Sequence, residues 1–343
     1  MTNFCSDNVC GAAPEIIEAL GRAFDGSAMP YGADDWTTRV EARLQEVFET
    51  DCRVFPVATG TAANALSLSV LSPPYGAVYC YEEAHVNVDE CGAPEFYSGG
   101  AKLVALAGTD AKLAPETLRA AIQGVGDQHH MQPAAVSLSQ ASELGTLYRP
   151  AEVAAIAEVA RAHGLGLHMD GARFANALAH LGCSPAEATW KAGVDALSFG
   201  ATKNGALAAE AVVLFRPELA EELVYRRKRG GHLFSKMRFL SAQLEAYLAD
   251  GLWLRLAAHA NALAARLSEG LAAIEGAEIL HPVEANEIFC RLPEAVIAGL
   301  LDEGFAFYRW GPAEAHGVRL VCGFERTPEE VDAFLAAARR LVG

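Results

Sequence analysis

No stretch of the chain approaches the roughly 18 uninterrupted apolar residues that a membrane span requires. The first residues, Met1-Thr2-Asn3-Phe4-Cys5-Ser6-Asp7, lack the basic and apolar regions of a secretory leader, so the cytoplasm is the expected address. Positive charge is also scarce: 27 Lys and Arg face 43 Asp and Glu, a formal net charge of −16. That balance argues against a nucleic-acid or anionic-membrane partner. An anionic ligand must therefore find a local pocket of amides or basic groups. The eight cysteines (5, 10, 52, 80, 91, 183, 290 and 322) show neither CxxC spacing nor a Cys/His cluster. They read as reduced, mostly buried small residues, and no metal site is expected. No internal repeat, low-complexity segment or flexible linker divides the chain. GxGxxG and Walker loops are missing too, so neither a dinucleotide nor a nucleoside triphosphate is indicated.

What is present suits a compact globular protein: 343 residues, 52% hydrophobic and 20% charged, enough for one large domain and a smaller one. Between Val54 and about Leu214, short apolar runs alternate with helical patterns. Expected strands are Val54–Ala58, Gly76–Cys80, Ala134–Ser139, Leu165–Met169, Ala196–Phe199 and Ala211–Phe215. Pro150 opens a helical pattern that His163-Gly164 closes, which gives strand, helix, strand and a mostly parallel sheet. Ligands of such sheets bind at the carboxyl ends of the strands. A long helical pattern from about Arg238 to Glu275, interrupted at Gly251, should connect two domains. Beyond Pro282 come strand patterns at Glu287–Leu292, Ala306–Trp310 and Val318–Cys322 and a last helix announced by Thr327-Pro328-Glu329-Glu330. The expected division is a large domain over 1–250 and a small α+β domain over 251–343.

Chemistry gathers at the predicted strand ends. Lys203 lies in Ser198-Phe199-Gly200-Ala201-Thr202-Lys203-Asn204-Gly205, a loop of small residues after an apolar run. Asp170 stands upstream in His168-Met169-Asp170-Gly171-Ala172-Arg173. An amine able to form a Schiff base and a carboxylate able to face a pyridine nitrogen are what pyridoxal phosphate needs. Taken singly, Asp170-Gly171 also suits a turn or helix cap, and Lys203 a solvated loop. The segment Ala58-Thr59-Gly60-Thr61-Ala62-Ala63-Asn64 follows a strand and opens a helix, where backbone amides can approach an anion. It equally describes an ordinary Thr-capped turn. His85 could stack on a flat ring and move protons, or serve as a hydrogen-bonded structural histidine. His129-His130 is adjacent rather than at ligand spacing and reads as structural. Arg173 and Arg319 are candidates for a bidentate grip on a substrate carboxylate. Arg226-Arg227-Lys228-Arg229 is a basic run that either ends a solvated helix or contacts a phosphate, in its own or a neighbouring subunit.

Together these segments resemble the low-specificity L-threonine aldolases, a branch of the aminotransferase-like fold type I enzymes of pyridoxal phosphate. The motifs are Phe4-Cys5-Ser6-Asp7-Asn8, Tyr31-Gly32-Ala33-Asp34-Asp35, Gly60-Thr61-Ala62-Ala63-Asn64, Glu83-Ala84-His85, Glu90-Cys91-Gly92-Ala93-Pro94-Glu95, His168 to Arg173, Thr202-Lys203-Asn204-Gly205 and Val318-Arg319-Leu320. The resemblance implies that Lys203 carries the cofactor, Asp170 contacts its ring nitrogen, and His85 stacks on the ring. Gly60, Thr61 and Thr202 would hold the phosphate. Ser6, Arg173 and Arg319 would take the substrate carboxylate, with Arg173 also beside the cofactor. Tyr31 and Lys228 would approach the site across a subunit interface, in a homo-oligomer expected to be a tetramer built as a dimer of dimers.

The pattern breaks at Gln140-Ala141-Ser142-Glu143, where many members of that family have Glu-Asn-Thr-His. The loop before the lysine, Gly200-Ala201-Thr202, is a milder change from the commoner Leu-Ser. The implied reaction is retro-aldol cleavage of a β-hydroxy-α-amino acid to glycine and an aldehyde. His85 is the preferred base for the β-hydroxyl proton, directly or through a water, and Glu143 the second candidate. The competing enzyme reading is β-elimination from a cysteine- or serine-like substrate. A non-catalytic or nucleotide-binding α/β protein would leave Lys203, Asp170 and Arg319 unexplained together.

Overall fold

The computed structural model describes residues 2–342. Seven strands make the main sheet: β1 (Arg53–Val57), β2 (Gly76–Tyr81), β3 (Lys102–Leu106), β4 (Gln132–Ser139), β5 (Gly166–Gly171), β6 (Ala196–Gly200) and β7 (Glu210–Leu214). Their spatial order is β1-β7-β6-β5-β4-β2-β3. Only β7 runs against its neighbours, β1 and β6; every other pairing in this sheet is parallel. Residues of β5, β6 and β7 are buried throughout. Successive side chains enter different cores: Leu197 and Val213 join one apolar cluster, Ala196, Val212 and Leu214 another. Both faces of the sheet are therefore covered, as an α/β architecture demands.

Helix limits follow the sequence signals closely. The helix Pro150–Ala162 starts at its proline, and Gly164 takes the left-handed φ of +72° that glycine tolerates best. The long helical pattern resolves into Arg238–Leu248 and Leu252–Ala272, separated where Asp250 and Gly251 adopt φ values of 50° and 67°. The last helix, Pro328–Val342, is capped reciprocally: the Glu330 amide donates to Thr327 Oγ1, and the Thr327 amide to Glu330 Oε2. Strand β3 has no counterpart among the expected strands. It is a sheet-edge strand with Lys102 and Ala105 exposed, Leu103 and Val104 partly buried and Leu106 buried, and its Leu103-Val104-Ala105-Leu106 is itself an apolar run.

A second sheet contains β8 (Glu278–Ile279), β9 (Glu287–Arg291), β10 (Tyr308–Trp310) and β11 (Gly317–Val321), all antiparallel, in the order β10-β11-β9-β8. Its core joins Ile288, Cys290, Leu320 and Phe334 to Leu263, Leu267 and Leu271 from the later half of the helix Leu252–Ala272. Phe4 enters this same core, edge-to-face on Phe334 with ring centroids 5.3 Å apart. The Phe4 amide donates to the Ala306 carbonyl (2.7 Å) and its own carbonyl accepts from Val321 (2.8 Å). We propose a division after residue 250, with the N-terminal segment crossing to the smaller unit; Leu252, Trp253 and Ala257 at the start of the connecting helix still pack in the larger core. That crossing brings Ser6 and Asp7 to the seam.

Candidate active site

Five segments converge because the sheet aligns their strand ends. β1 leads into Thr59-Gly60, β2 into His85, β4 into Gln140 to Glu143, β5 ends at Asp170-Gly171, and β6 leads into the turn Thr202–Asn204 that carries Lys203. In a doubly covered parallel sheet, the carboxyl edge is where a ligand finds open space and free backbone amides.

The helix Gly60–Leu71 begins with Thr59 as its cap, the hydroxyl accepting from the Ala62 amide at 3.1 Å. A Cβ placed on Gly60 would meet no atom within 4 Å, so the space over this turn is open. A helix amino end facing open space suits a phosphate. Deeper in, Asp170 is buried, with Oδ1 accepting from the Ala172 amide (3.0 Å) and Oδ2 from Asn64 Nδ2 (2.8 Å). The half-buried Lys203 is near enough for its charge to act on Asp7, His85 and Glu210.

Asn64 links Asp170 to the next group. Its Nδ2 also donates to Glu90 Oε1 (2.8 Å), and the same oxygen meets His85 Nδ1 at 2.8 Å. The hydrogen bond to Glu90 raises the His85 pKa, outweighing the opposing effect of burial. Glu90 itself is pushed up by burial. His85, Glu90 and Asp170 bring ligand-type atoms within 4.8 Å of one another, but His85 Nδ1 and the Asp170 carboxylate already have protein partners. On the other side, Glu143 accepts from the His85 amide at 3.2 Å and from the Ser139 hydroxyl. Burial pushes its carboxyl up to about 7, and its Oε2 is buried without a hydrogen-bond partner.

The two expected carboxylate-binding arginines are already engaged. Arg173 Nε and Nη2 donate to Asp7 at 2.8 and 2.7 Å, and Nη1 lies 3.1 Å from Glu287 Oε2. Arg319 Nη2 donates to Glu287 Oε1 at 2.6 Å. Asn286 Nδ2 adds a bond to Asp7 (3.0 Å). Burial works against the Asp7 charge, but Arg173 outweighs it and holds the carboxyl well below the usual range. Ser6 caps the turn Asp7–Val9.

The remaining expected residues lie differently. The Thr202 hydroxyl accepts from the Ala209 amide at 3.1 Å, an internal use of a group expected to face phosphate. Tyr31 and the exposed Lys228 pair with each other, Nζ standing 4.9 Å above the ring. No hydrogen bond or ion pair among the described residues ties that pair to the buried group. His130 stands 3.5 Å from Asp127 on the surface.

An amine, a buried carboxylate one strand away, a half-exposed imidazole and an open helix amino end fit pyridoxal phosphate. Sequence reasoning assigned no role to Asn64, Glu90 or Asp7, although the motifs quoted above contain all three. Glu210 and Glu287 were missed altogether. Each opens an apolar strand, β7 or β9, and only the sheet register shows where its carboxylate goes.

Comparison with known proteins places the chain in a family. The family model described as "Beta-eliminating lyase" matches residues 3–295. A low-specificity L-threonine aldolase from a Pseudomonas species is 46% identical over 339 residues, covering 99% of this chain and 97% of that protein. The solved threonine aldolase of Leishmania major superposes with a TM-score of 0.94 at 28% identity, each chain covered completely. Serine palmitoyltransferase of Sphingomonas wittichii, at 17% identity and a TM-score of 0.74 over 99% of this chain and 86% of that one, shares the fold alone. With its fold type I architecture, the chain belongs to the beta-eliminating lyase family, on the branch of the low-specificity L-threonine aldolases.

Proposed function

We propose that the chain cleaves L-threonine, L-allo-threonine and related β-hydroxy-α-amino acids to glycine and an aldehyde, using pyridoxal phosphate. The observation that carries this is the meeting of Lys203, Asp170 and His85 at one sheet edge, in a chain 46% identical to a named L-threonine aldolase. Bound there, the cofactor supplies an electron sink for the pair left on Cα when the Cα–Cβ bond breaks.

The protein's own groups supply the rest. Lys203 would anchor the cofactor through its amine, and Asp170 would keep a proton on the ring nitrogen. Gly60 and Thr61 offer backbone amides to the phosphate, with Thr202 beside them. His85 would lie against the ring. Because its Nδ1 is held by Glu90, Nε2 is the nitrogen free to take the β-hydroxyl proton. Glu143, with an unpartnered oxygen and a carboxyl near neutrality, is the second acid–base candidate. Arg173, Arg319 and Ser6 receive the substrate carboxylate. Binding then requires that Asp7 and Glu287 share their arginines. Tyr31 and Lys228 would serve a neighbouring protomer. Exposed Phe24, Met29, Tyr31, Phe96 and Tyr225 support self-association, which we take to be a homotetramer in the cytoplasm. No helix among the described residues is long and apolar enough to cross a membrane.

The test is product analysis with the purified chain, cofactor and L-threonine or L-allo-threonine. Glycine with aldehyde supports aldol cleavage, whereas pyruvate with ammonia would replace it by β-elimination. Lys203→Ala should lose both activity and the visible absorbance of the bound cofactor; an unchanged spectrum would sink the assignment.

A further inference from the structure

Glu210 has no part in the chemistry above, yet its carboxyl is buried at the point where two functional segments meet. In sheet register Glu210 pairs with Val57 of β1 and with Gly200 of β6. It therefore sits between the strand that leads to the Gly60 turn and the strand that leads to Lys203. Its Oε2 accepts the Ala201 amide at 3.1 Å, two residues before the lysine. Next to it, Ala209 and Thr202 are joined through the Thr202 hydroxyl. The far side of the loop is held by neutral groups: Asn204 donates to Tyr247 Oη (2.7 Å) and the Trp253 carbonyl (2.8 Å), and Gln243 accepts from Leu207 (2.9 Å) and Ala208 (3.1 Å).

A glutamine at 210 could still accept the Ala201 amide, though more weakly than a carboxylate. It would also avoid the cost of burying a charge. What the carboxylate adds is a negative charge close to Lys203. We propose that Glu210 is the positioning residue of Lys203: it pins the turn that carries the lysine and sets how readily that amine reacts.

The surroundings leave Lys203 as its principal charged neighbour. β6 and the helix Gly60–Leu71 carry no titratable side chain. β1 contributes only Arg53, at its far end and paired with Glu41. The helix Arg238–Leu248 contributes the Tyr247 phenol, which feels the Glu210 charge; its Glu245 pairs with Arg39 and its Arg238 bonds the Gly26 carbonyl. Burial pushes the Glu210 carboxyl up to about 7, against the lowering pull of Thr202, Lys203 and the Ala201 amide. The counter-charge thus develops across the neutral range.

The inference rests on Lys203 being the cofactor lysine, but its test does not need the cofactor. The full chain, stripped of cofactor, is competitively acylated, and the Lys203 peptide is read by mass spectrometry. Native protein and Glu210→Gln are compared from about pH 6 to about pH 9. Acylation needs the free amine, so a carboxylate facing the ammonium slows it. Lys203 should react at the same rate in both proteins at the acid end, and roughly three- to tenfold faster in Glu210→Gln at the alkaline end. A purely structural role would change the rate equally at every pH, and a flat ratio overturns the proposal. Should Glu210→Gln not fold, Glu210→Asp keeps the charge with a shorter reach. Asp must then fold and track the native profile, and failure on either count also overturns it. A chain that takes up no cofactor would refute the function proposed above, while the acylation ratio would still decide the role of Glu210.

Discussion

Arg173 grips Asp7 with two parallel hydrogen bonds, 2.8 and 2.7 Å long, across 166 positions of sequence. The guanidinium belongs to the turn after β5, and the carboxylate to an N-terminal segment anchored in the smaller unit by Phe4. One ion pair thus ties the turn after β5 to the N-terminal segment at the expected substrate-carboxylate site.

Asp7→Asn leaves the buried Arg173 with one of its two charge partners, and should cost ~3–5 kcal/mol in urea unfolding. The pH dependence has a definite sign. Asp7 is held below its ordinary value, so its contribution is complete above that value and is lost only as pH falls beneath it. The difference between native and variant proteins should therefore stay constant from about pH 8 to about pH 5, and shrink below about pH 4. A difference already falling at pH 6 would contradict the assignment.

Glu143 behaves in the opposite sense. Its carboxyl is raised from 4.5 to about 7, so its contribution to stability is full below the unfolded value and is lost as pH rises through the folded one. Glu143→Gln removes that loss. Between about pH 5 and about pH 8, the variant's unfolding free energy should fall by less than the native protein's, with up to ~3 kcal/mol separating the two declines. Identical declines in urea titrations at both pH values would count against a buried, titrating Glu143.

Glu90→Gln tests the His85 contact. Glu90 is the main cause of the raised His85 pKa. With a neutral partner, the acidic limb of the kcat/KM profile should move to lower pH, while KM for the amino acid changes less than kcat. An unmoved limb would mean that His85 is not the group that titrates there.

Phe4→Ala opens a cavity against Phe334 and should cost ~3–5 kcal/mol. Because Phe4 anchors the segment bearing Ser6 and Asp7, KM should rise even well below the unfolding temperature. Thermal unfolding and initial-rate kinetics on the same preparation check both halves.

Much of this was readable in the chain because it rests on local rules. Pro150, Gly164 and Thr327 mark helix ends through backbone geometry that neighbouring residues alone dictate. Buried strands such as β5 and β6 appear as apolar runs, and Lys203, Asp170 and His85 stand where those runs end. Leu103-Val104-Ala105-Leu106 of the edge strand β3 is an apolar run of the same kind, which the expected strands leave out.

By itself the sequence determined the α/β order of elements, the anionic surface, and the residue types that make an amine–carboxylate–imidazole site. Only the tertiary structure decided which charges face one another. Pairing depends on strand register and on how the N-terminal segment crosses to the smaller unit, and neither leaves a local signature. For that reason Asp7 and Glu287 already occupy the arginines, Glu90 holds His85, and a carboxylate that opens an apolar strand holds the Ala201 amide two residues before Lys203.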